Sequence, residues 1–475
     1  MTSSDGRRHV VVIGAGPGGY PAAFRAAKLG FGVTLIDPEA LPGGVCLYRG
    51  CIPSKALLHA AEVMRAASDA DAMGLTFGAP RVDLDRLRAW KDEVVVKQTR
   101  GLASLTRARR VRHVQGRARF RDAHSLEVTG ETSQVIEFDA AIIATGSSPA
   151  APEGLRSDSP LVMDSTAALA VDEVPATLLV VGGGYIGLEL GSVYAALGSQ
   201  VTLVEMTPGL LPGVDRALVK PLAAHMDAVL REVLLDTRVT ALRPAADRVE
   251  VELSGPSVEQ SRRVFDRVLV AVGRTPNSGD LGLEHTAVEV DAKGFIQTDA
   301  QQRTAEPTIL AVGDVAGEPM LAHKATHEGH VAAEAIAGEA SAFDAQAIPA
   351  VVFTDPEIAW CGLTEDEAIA RGQEVEVSRF PWLASGRAAM LGGIEGLTQL
   401  VVEPRTRLVL GAGIVGRGAG DLIGECVHAI EMGATADDLA LSVHPHPTLS
   451  ETIMEAAALL DDDSPHFMAR RRAQR

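Results

Sequence analysis

The sequence has few cysteines, no long apolar run and fewer basic than acidic residues. Four cysteines among 475 residues are too few for the dense disulfide framework of a secreted protein, so any disulfide here would be catalytic. No stretch approaches the ~20 apolar residues of a transmembrane helix, and no secretory leader is recognisable. A net charge of −18 disfavours nucleic acid and anionic membranes as partners. We therefore expect a cytoplasmic protein of about two to four domains.

Two of the four cysteines, Cys46 and Cys51, are close together in the sequence. On a straight helix their Cα atoms would be about 7.5 Å apart along the axis, too far for a disulfide. A bond between them would therefore need a bent backbone, which Gly50 and Pro53 permit. The alternative, two unrelated buried thiols, is disfavoured because so few cysteines are present and a nucleotide-binding pattern precedes them.

That nucleotide-binding pattern occupies residues 10–37, which read as a strand, a glycine-rich turn, a helix and a second strand. Gly14 permits the tight turn, Gly16 lets the backbone approach a pyrophosphate, and Gly19 lets the helix pack closely on the strand. Asp37 ends the second strand, where a carboxylate accepts ribose hydroxyls. The pattern predicts a dinucleotide-binding unit.

The same pattern recurs in residues 178–205. Gly182, Gly184 and Gly187 stand in its glycine turn, and Glu205 follows at the same offset as the acid of the first unit. Two such units predict two dinucleotide cofactors that exchange electrons. A carboxylate at Glu205 would repel a 2′-phosphate, so NAD is favoured over NADP.

The rest of the pattern predicts an α/β protein. A third apolar strand, Ile309–Asp314, ends on a carboxylate that would face the ligand crevice, although a turn or helix-cap role is the alternative for Asp314. From residue 348 strands and amphipathic helices alternate without glycine fingerprints. The expected domains are two Rossmann-like ones, residues 1–150 with 281–347 and residues 151–280, and a C-terminal α+β domain, residues 348–475, whose basic tail from 469 is expected to be disordered.

A histidine and a glutamate lie close together near the C terminus. His446 precedes Glu451 by five positions, so it could be a base that a carboxylate holds in one tautomer. Three other histidines, His323, His327 and His330, have helix-face spacing, but no cysteine or carboxylate set completes a metal site. We therefore expect no metal.

Taken together, these motifs resemble the flavin- and pyridine-nucleotide-dependent disulfide oxidoreductases over essentially the whole chain. Within that family the resemblance is strongest to the members that reoxidise dihydrolipoamide for 2-oxo acid dehydrogenase complexes. The specific motifs are Gly43–Lys55, Glu205, Val272–Asn277, Ala311–Asp314, Met320–Lys324, Phe353–Glu357 and His446–Glu451.

The resemblance implies one site for FAD and one for NAD. Lys55 would lie near the flavin N5 with Glu189 as its partner, because a buried lysine needs a carboxylate to stay charged. Tyr185 departs from the small or aliphatic residue that is usual there, and a gate over the flavin is one interpretation of it. The residues expected around FAD are Gly14, Gly16, Gly19, Asp37, Lys55, Ala118, Thr145, Gly146, Asp314 and Ala322, and those around NAD are Gly182, Gly184, Tyr185, Gly187, Glu205, Val239 and Gly273.

The resemblance also implies the catalytic roles and the partners. Cys46, the exposed member of the pair, would take the substrate sulfur. Cys51, nearer the flavin, would pass electrons to FAD, and a hydride would go to NAD⁺. His446, oriented by Glu451, would remove the substrate proton, because only a thiolate attacks a disulfide. The matching histidine in the family comes from the partner subunit, so a homodimer is expected. The expected protein partners are lipoyl domains of 2-oxo acid dehydrogenase complexes or of the glycine cleavage system.

Besides Tyr185, three positions depart from the family pattern. Tyr48 and Arg49 replace the Asn-Val usual between the cysteines, and Pro445 replaces a small residue before His446. The resemblance therefore does not predict the shape of the substrate entrance or the redox potential of the disulfide. Among other enzymes, a glutathione reductase is disfavoured by Glu205, a mercuric reductase by the lack of a C-terminal cysteine pair, and a soluble transhydrogenase by the presence of both motif cysteines. The alternative from a different class is a flavin-binding scaffold without disulfide turnover.

Overall fold

The computed structural model describes residues 6–393 and 395–468, so the basic tail, residues 469–475, lies outside the described residues. No helix in the described part of the chain is long and apolar enough to cross a membrane. In chain order the strands are β1 (His9–Ile13), β2 (Gly32–Asp37), β3 (Arg112–Gln115), β4 (Arg117–Asp122), β5 (Ser125–Thr129), β6 (Gln134–Glu137), β7 (Ala140–Ile143), β8 (Ser147–Pro149), β9 (Val162–Met163), β10 (Thr177–Val181), β11 (Gln200–Val204), β12 (Glu232–Leu234), β13 (Arg238–Pro244), β14 (Val249–Ser254), β15 (Arg262–Phe265), β16 (Arg267–Val270), β17 (Arg274–Pro276), β18 (Ile309–Ala311), β19 (Ala350–Val352), β20 (Ile358–Gly362), β21 (Glu376–Pro381), β22 (Leu397–Val402) and β23 (Val409–Val415). The helices are α1 (Gly19–Lys28), α2 (Gly44–Arg49), α3 (Cys51–Asp69), α4 (Leu84–Ala108), α5 (Ser165–Ala170), α6 (Tyr185–Leu197), α7 (Arg216–Val229), α8 (Ala322–Ala337), α9 (Glu365–Ala370), α10 (Gly386–Met390), α11 (Ala419–Glu431), α12 (Ala436–Leu441) and α13 (Glu451–Ala458).

One compact unit contains the chain up to Glu153 together with Met163–Glu173 and Val272–Asp344. Its centre is a five-stranded parallel sheet in the order β3-β2-β1-β7-β18. Alternate side chains of β1 enter two different cores: Val10 and Val12 pack in the core that includes α1 and α8, and Val11 and Ile13 pack in the other. Because both faces of this sheet are covered, its strands read as continuous apolar runs in the sequence.

The second compact unit contains Gly154–Val162, Val174–Ala271 and the chain from Ala345 onward. It holds a parallel sheet in the order β12-β11-β10-β16 with β9 at its edge, and a three-stranded antiparallel sheet of β13, β14 and β15. A five-stranded antiparallel sheet in the order β19-β20-β23-β22-β21 packs in a core with α11 and α13. The predicted α/β class is confirmed, and the division into three domains stays a prediction.

The helix that carries the cysteines is interrupted between them, which is the bend that a bond between the two sulfurs would need. Helix α2 ends at Arg49 and α3 begins at Cys51, so the break lies at Gly50. A Cβ on Gly50 would lie 3.0 Å from the carbonyl oxygen of Val45, so a side chain there would crowd α2. Pro53 lies in the first turn of α3, where its missing N–H removes no helical hydrogen bond.

Two glycine substitutions that should change stability in opposite directions test the packing of the first unit. Gly19→Ala should destabilise it by about 3 kcal/mol, because the new Cβ would lie 1.7 Å from the carbonyl oxygen of Gly14. Gly101→Ala should stabilise it by about 0.5–1 kcal/mol, because Gly101 lies on the exposed side of α4 with no atom within 4 Å of the new Cβ. Thermal unfolding midpoints measure both changes. An unaltered midpoint in Gly19→Ala would contradict the close contact.

Candidate functional site

Close backbone contacts shape the first glycine loop, residues 14–19. Gly14 has φ +100°, and a Cβ there would lie 2.2 Å from the carbonyl oxygen of Ala144. Gly44, at the start of the cysteine helix, lies so near that its Cβ would be 2.4 Å from the Cα of Gly16. A Cβ on Gly16 itself would meet nothing nearer than 3.8 Å. This open backbone at the start of α1 fits a pyrophosphate.

Asp37 fastens that loop to the end of β2. Its buried carboxylate accepts the N–H of Ala15 at 2.6 Å and the N–H of Glu39 at 2.9 Å. Burial raises the pKa of Asp37, although both N–H groups act in the opposite direction. A carboxylate offers about four acceptor positions, so ribose hydroxyls can still bind. The site thus fits the expected ribose contact and gives Asp37 a structural role as well.

Glu205 repeats the arrangement in the second unit. Its buried carboxylate accepts the N–H of Gly183 at 2.7 Å and the N–H of Thr207 at 2.8 Å. This glycine loop also turns tightly, since a Cβ on Gly187 would lie 2.0 Å from the carbonyl oxygen of Gly182. A Cβ on Gly184, by contrast, would have no atom within 4 Å. The loop therefore keeps one open backbone position beside its tight turn, as the first loop does.

The first arginine after Glu205 is Arg216. Its guanidinium donates to three backbone carbonyl oxygens, those of Leu210, Leu211 and Val214. These contacts hold Arg216 to its own loop, and it is not free to bind a 2′-phosphate. The carboxylate and the engaged arginine together favour NAD over NADP.

Asp314 lies in a 3₁₀ turn, Gly313–Val315, directly after β18. The hydroxyl of Ser147 donates to its carboxylate, and the same hydroxyl accepts the Nε–H of Arg274 at 2.6 Å. The side chain is thus oriented at the end of a parallel strand, where ligands bind in sheets of this kind. Its expected contact with FAD stays a prediction.

A buried ion pair on α8, which was not predicted from the sequence, supports this turn. Lys324 and Glu328 are 2.8 Å apart. Glu328 accepts the N–H of Gly313 at 2.7 Å, and Lys324 donates to the carbonyl oxygen of Gly317 at 3.2 Å. The i,i+4 spacing of the two residues was the available signal, but that spacing is equally typical of surface pairs.

Thr145 and Gly146 follow β7 and are tied to Asn277. The hydroxyl of Thr145 donates to the carbonyl oxygen of Asn277 at 2.7 Å, and the amide of Asn277 donates back to Thr145 at 3.0 Å. Gly146 has φ +69°, which favours glycine there. The other expected cofactor contacts lie on separate elements: Ala118 in β4, Ala322 at the start of α8, Val239 in β13 and Gly273 before β17.

The structure brings the side chains of the two motif cysteines into hydrogen-bond contact. Cys46 in α2 is half-buried, and Cys51 at the start of α3 is exposed, so the expectation that Cys46 is the exposed member of the pair is wrong. The hydrogen bond with Cys51, followed by burial, raises the pKa of the Cys46 thiol, while the charge of Lys55 lowers it. Ionisation of both sulfurs at once is therefore disfavoured. The disulfide between them and the separate roles of the two sulfurs stay predictions.

Glu189 lies in α6, and its buried carboxylate accepts the N–H of Phe353 at 3.0 Å. This bond ties α6 to the Phe353–Glu357 motif within the second unit. The expected pairing of Glu189 with Lys55 stays a prediction. Tyr185 is the first residue of the same helix and is exposed.

His446 and Glu451 form the expected pair. The Nδ1 of His446 lies 2.8 Å from one carboxylate oxygen, and the N–H of Thr448 donates to the other at 2.7 Å. Glu451 begins α13, where a carboxylate is favoured by the helix dipole. With its Nδ1 on Glu451 and its side chain 71% exposed, His446 presents Nε2 as a proton acceptor.

His444, which no sequence argument assigned, holds the same segment from the other side. Its Nε2 lies 2.9 Å from the carboxylate of Glu425 on α11, and its Nδ1 lies 2.9 Å from the carbonyl oxygen of Ser442. These contacts attach the residues before His446 to a long helix of the core. The signal in the sequence was its position two residues before His446. Within residues 6–393 and 395–468, no group of three or more His, Cys, Asp or Glu side chains could hold a metal ion.

Two family profiles match the chain. One, described as pyridine nucleotide-disulphide oxidoreductase, matches residues 8–329. The other, described as the dimerisation domain of the same family, matches residues 348–457.

Curated proteins from several organisms are similar over nearly their full length. A dihydrolipoyl dehydrogenase of Vibrio cholerae is 44% identical over 474 residues, covering 99% of this chain and 100% of the relative. One of Thermus scotoductus is 47% identical over 463 residues, covering 97% of this chain and 99% of the relative. Among solved structures, LpdA of Mycobacterium tuberculosis superposes with a TM-score of 0.88 at 26% identity, covering 95% of this chain and 99% of that one. The HOCl-induced flavoprotein disulfide reductase RclA of Escherichia coli superposes with a TM-score of 0.84 at 27% identity, covering 95% of this chain and 100% of that one.

A Glu451→Gln variant should be less stable than the wild type at neutral pH but not in acid. Burial alone would raise the pKa of Glu451, but the Thr448 N–H and the His446 side chain outweigh it and hold the pKa below its usual range. A carboxyl with a lowered folded-state pKa stabilises the protein above its unfolded pKa and loses that effect as pH falls through the folded value. The difference between the thermal midpoints should therefore be full at pH 7, above the ordinary glutamate pKa, and should shrink as the pH falls through the lower folded-state pKa of Glu451. A difference that is constant over this range would contradict the pairing.

Proposed function

We propose that this chain, which belongs to the pyridine nucleotide-disulphide oxidoreductase family, oxidises dihydrolipoamide to lipoamide and reduces NAD⁺, as a dihydrolipoyl dehydrogenase does. The observation that carries the proposal is the broken helix, which puts Cys46 and Cys51 in contact immediately after a dinucleotide loop. The curated relatives that are 44% and 47% identical bear this name and support the choice of substrate.

FAD and NAD are the cofactors of this family. Asp37, the open backbone at Gly16 and the oriented Asp314 fit FAD in the first unit, and Glu205 with Gly184 fits NAD in the second. FAD supplies, when bound, a two-electron acceptor between the thiols and NAD⁺. The protein's own part is to hold the cofactors and to bring the substrate sulfur to the cysteines.

The cysteines perform the exchange with the substrate. A dihydrolipoamide thiolate attacks the Cys46 sulfur, the Cys46–Cys51 bond breaks, and Cys51 leaves as a thiolate. The second substrate sulfur then attacks the mixed disulfide, which releases cyclic lipoamide and frees the Cys46 sulfur. His446 accepts the proton of the first substrate thiol at Nε2, gives it to the Cys46 sulfur as that sulfur leaves, and then accepts the proton of the second thiol. The products at the site are a Cys46 thiol, a Cys51 thiolate and an imidazolium that Glu451 stabilises.

A homodimer is supported by the dimerisation region of the chain. Two apolar side chains close to the base in the sequence, Leu441 and Val443, are highly exposed, which fits a segment that a second copy covers. In the proposed dimer His446 serves the cysteines of the partner subunit. The substrate would arrive on lipoyl domains of 2-oxo acid dehydrogenase complexes or of the glycine cleavage system, in the cytoplasm.

A substrate and cofactor matrix tests the activity. Purified wild type should reduce NAD⁺ with dihydrolipoamide at least about 100-fold faster than it turns over glutathione or mercuric substrates. An enzyme site discriminates strongly against a substrate whose polar groups it cannot bind, and we expect this site to bind those of glutathione poorly. NADP⁺ should be a poor replacement for NAD⁺.

Cys51→Ser should retain FAD, as read from the flavin absorbance, yet lose lipoamide turnover. Near-normal turnover in that variant would refute the disulfide mechanism.

His446→Ala separates proton transfer from hydride transfer. Dihydrolipoamide oxidation should fall about 10²–10⁴-fold, because the substrate loses its base. NADH oxidation by an artificial electron acceptor, which needs no thiol deprotonation, should stay within about twofold of wild type. Equal loss of both activities would assign His446 a structural role instead.

A further inference from the structure

Tyr48 and Arg49, two of the residues that depart from the family pattern, lie in the last turn of α2 between the cysteines. Their side chains contact the loop that connects β2 to α2, residues 38–43, and each makes a different polar contact there. Neither contact was foreseen from the sequence, and neither belongs to the proposed chemistry.

Arg49 pairs with Glu39 in this loop. The backbone N–H of Glu39 donates to Asp37, and the other oxygen of Asp37 accepts the N–H of Ala15 in the glycine loop. A continuous chain of hydrogen bonds and one ion pair therefore runs from the glycine loop to the residue two positions before Cys51.

Tyr48 makes a second attachment. Its hydroxyl donates to the carbonyl oxygen of Leu41 at 3.0 Å, and its side chain lies close to that of Thr99. Thr99 is buried on α4 and packs against the loop, since a Cβ on Gly43 would lie 3.2 Å from its methyl group. The last turn of α2 is thus connected to both the loop and a long helix.

Such attachments matter because α2 cannot hold its own geometry. It has six residues, no side-chain cap at its start, and Gly50 at its end. A helix this short is unstable alone, so its last turn depends on contacts with other elements. The Arg49 and Glu39 side chains are 39% and 30% exposed, so we expect little effect on overall stability and a local effect on the cysteines.

We propose that Tyr48 and Arg49 are positioning residues of the redox pair, which hold the last turn of α2 on the cofactor loop so that Cys46 stays aligned with Cys51. The inference rests on the proposed redox function of the pair. Alignment raises the effective concentration of one thiol at the other and so favours the disulfide. Loosening the turn should therefore make the disulfide easier to reduce.

The test equilibrates the holoenzyme with mixtures of reduced and oxidised glutathione and counts the Cys46 and Cys51 thiols by alkylation and mass spectrometry. Arg49→Met should lower the equilibrium constant for disulfide formation about three- to fivefold, whereas Arg49→Lys, which keeps the charge, should stay within about twofold of wild type. Glu39→Gln should act like Arg49→Met, and the double variant should add nothing further. Tyr48→Phe, which removes one hydroxyl, should give a smaller shift in the same direction.

Arg25→Met is the matched control. It breaks the Arg25–Glu334 pair, 2.6 Å long and 25% and 20% exposed, which joins α1 to α8 in the same unit. This variant should leave the thiol equilibrium within about twofold of wild type. An unchanged equilibrium in Arg49→Met, an equal shift in Arg25→Met, or additive effects of Arg49 and Glu39 would each overturn the positioning role.

The readout needs no lipoamide, so the two proposals can fail separately. A shifted equilibrium in Arg49→Met, in an enzyme that does not oxidise dihydrolipoamide, supports the positioning role and refutes only the substrate. If the wild type oxidises dihydrolipoamide but Arg49→Met has the same thiol–disulfide equilibrium constant as the wild type, only the positioning role is refuted.

Discussion

A buried carboxylate bonded to backbone N–H groups is the interaction on which both nucleotide-binding regions depend. Asp37 and Glu205 each accept one N–H from a glycine loop and one from the residue two positions after the acid. The glycine loops carry almost no side chains that could anchor them by packing. A buried carboxylate without partners would be costly, and the N–H donors offset that cost while the carboxylate fixes the loop. Loop and strand end are therefore positioned together.

Other functional segments use the same solution. Glu328 accepts the N–H of Gly313 beside Asp314, and Glu189 accepts the N–H of Phe353 in a family motif. Each acid lies on a helix, and each accepts a backbone N–H from a residue that lies outside the regular strands. Because a charge is buried only where it is paired, these acids mark the segments whose position matters most.

The sequence predicted what local spacing determines and missed what distant contacts determine. The two glycine loops, the break at Gly50 and the His446–Glu451 pair all follow from residues a few positions apart, where stereochemistry leaves few choices. Burial of the Lys324–Glu328 pair could not be predicted, because an i,i+4 pair looks alike on a surface and in a core. The contact of Ser147 with Asp314 joins segments far apart in the chain, which no local pattern records. Asp37 was predicted as a ribose ligand, but its hydrogen bond with the N–H of Ala15 is visible only in the structure.

The cysteine helix shows how the local and the distant contacts combine. Its first turn is placed by backbone alone, since the N–H of Gly43 donates to Ala15 at 2.9 Å and Gly44 lies against Gly16. Backbone contacts of this kind leave glycine as the only residue that fits. The last turn is held by side chains instead, and side chains can be exchanged without disturbing the glycine loop. Substitution at positions 48 and 49 is therefore the route by which such a chain can adjust its cysteine pair while the nucleotide site stays unchanged.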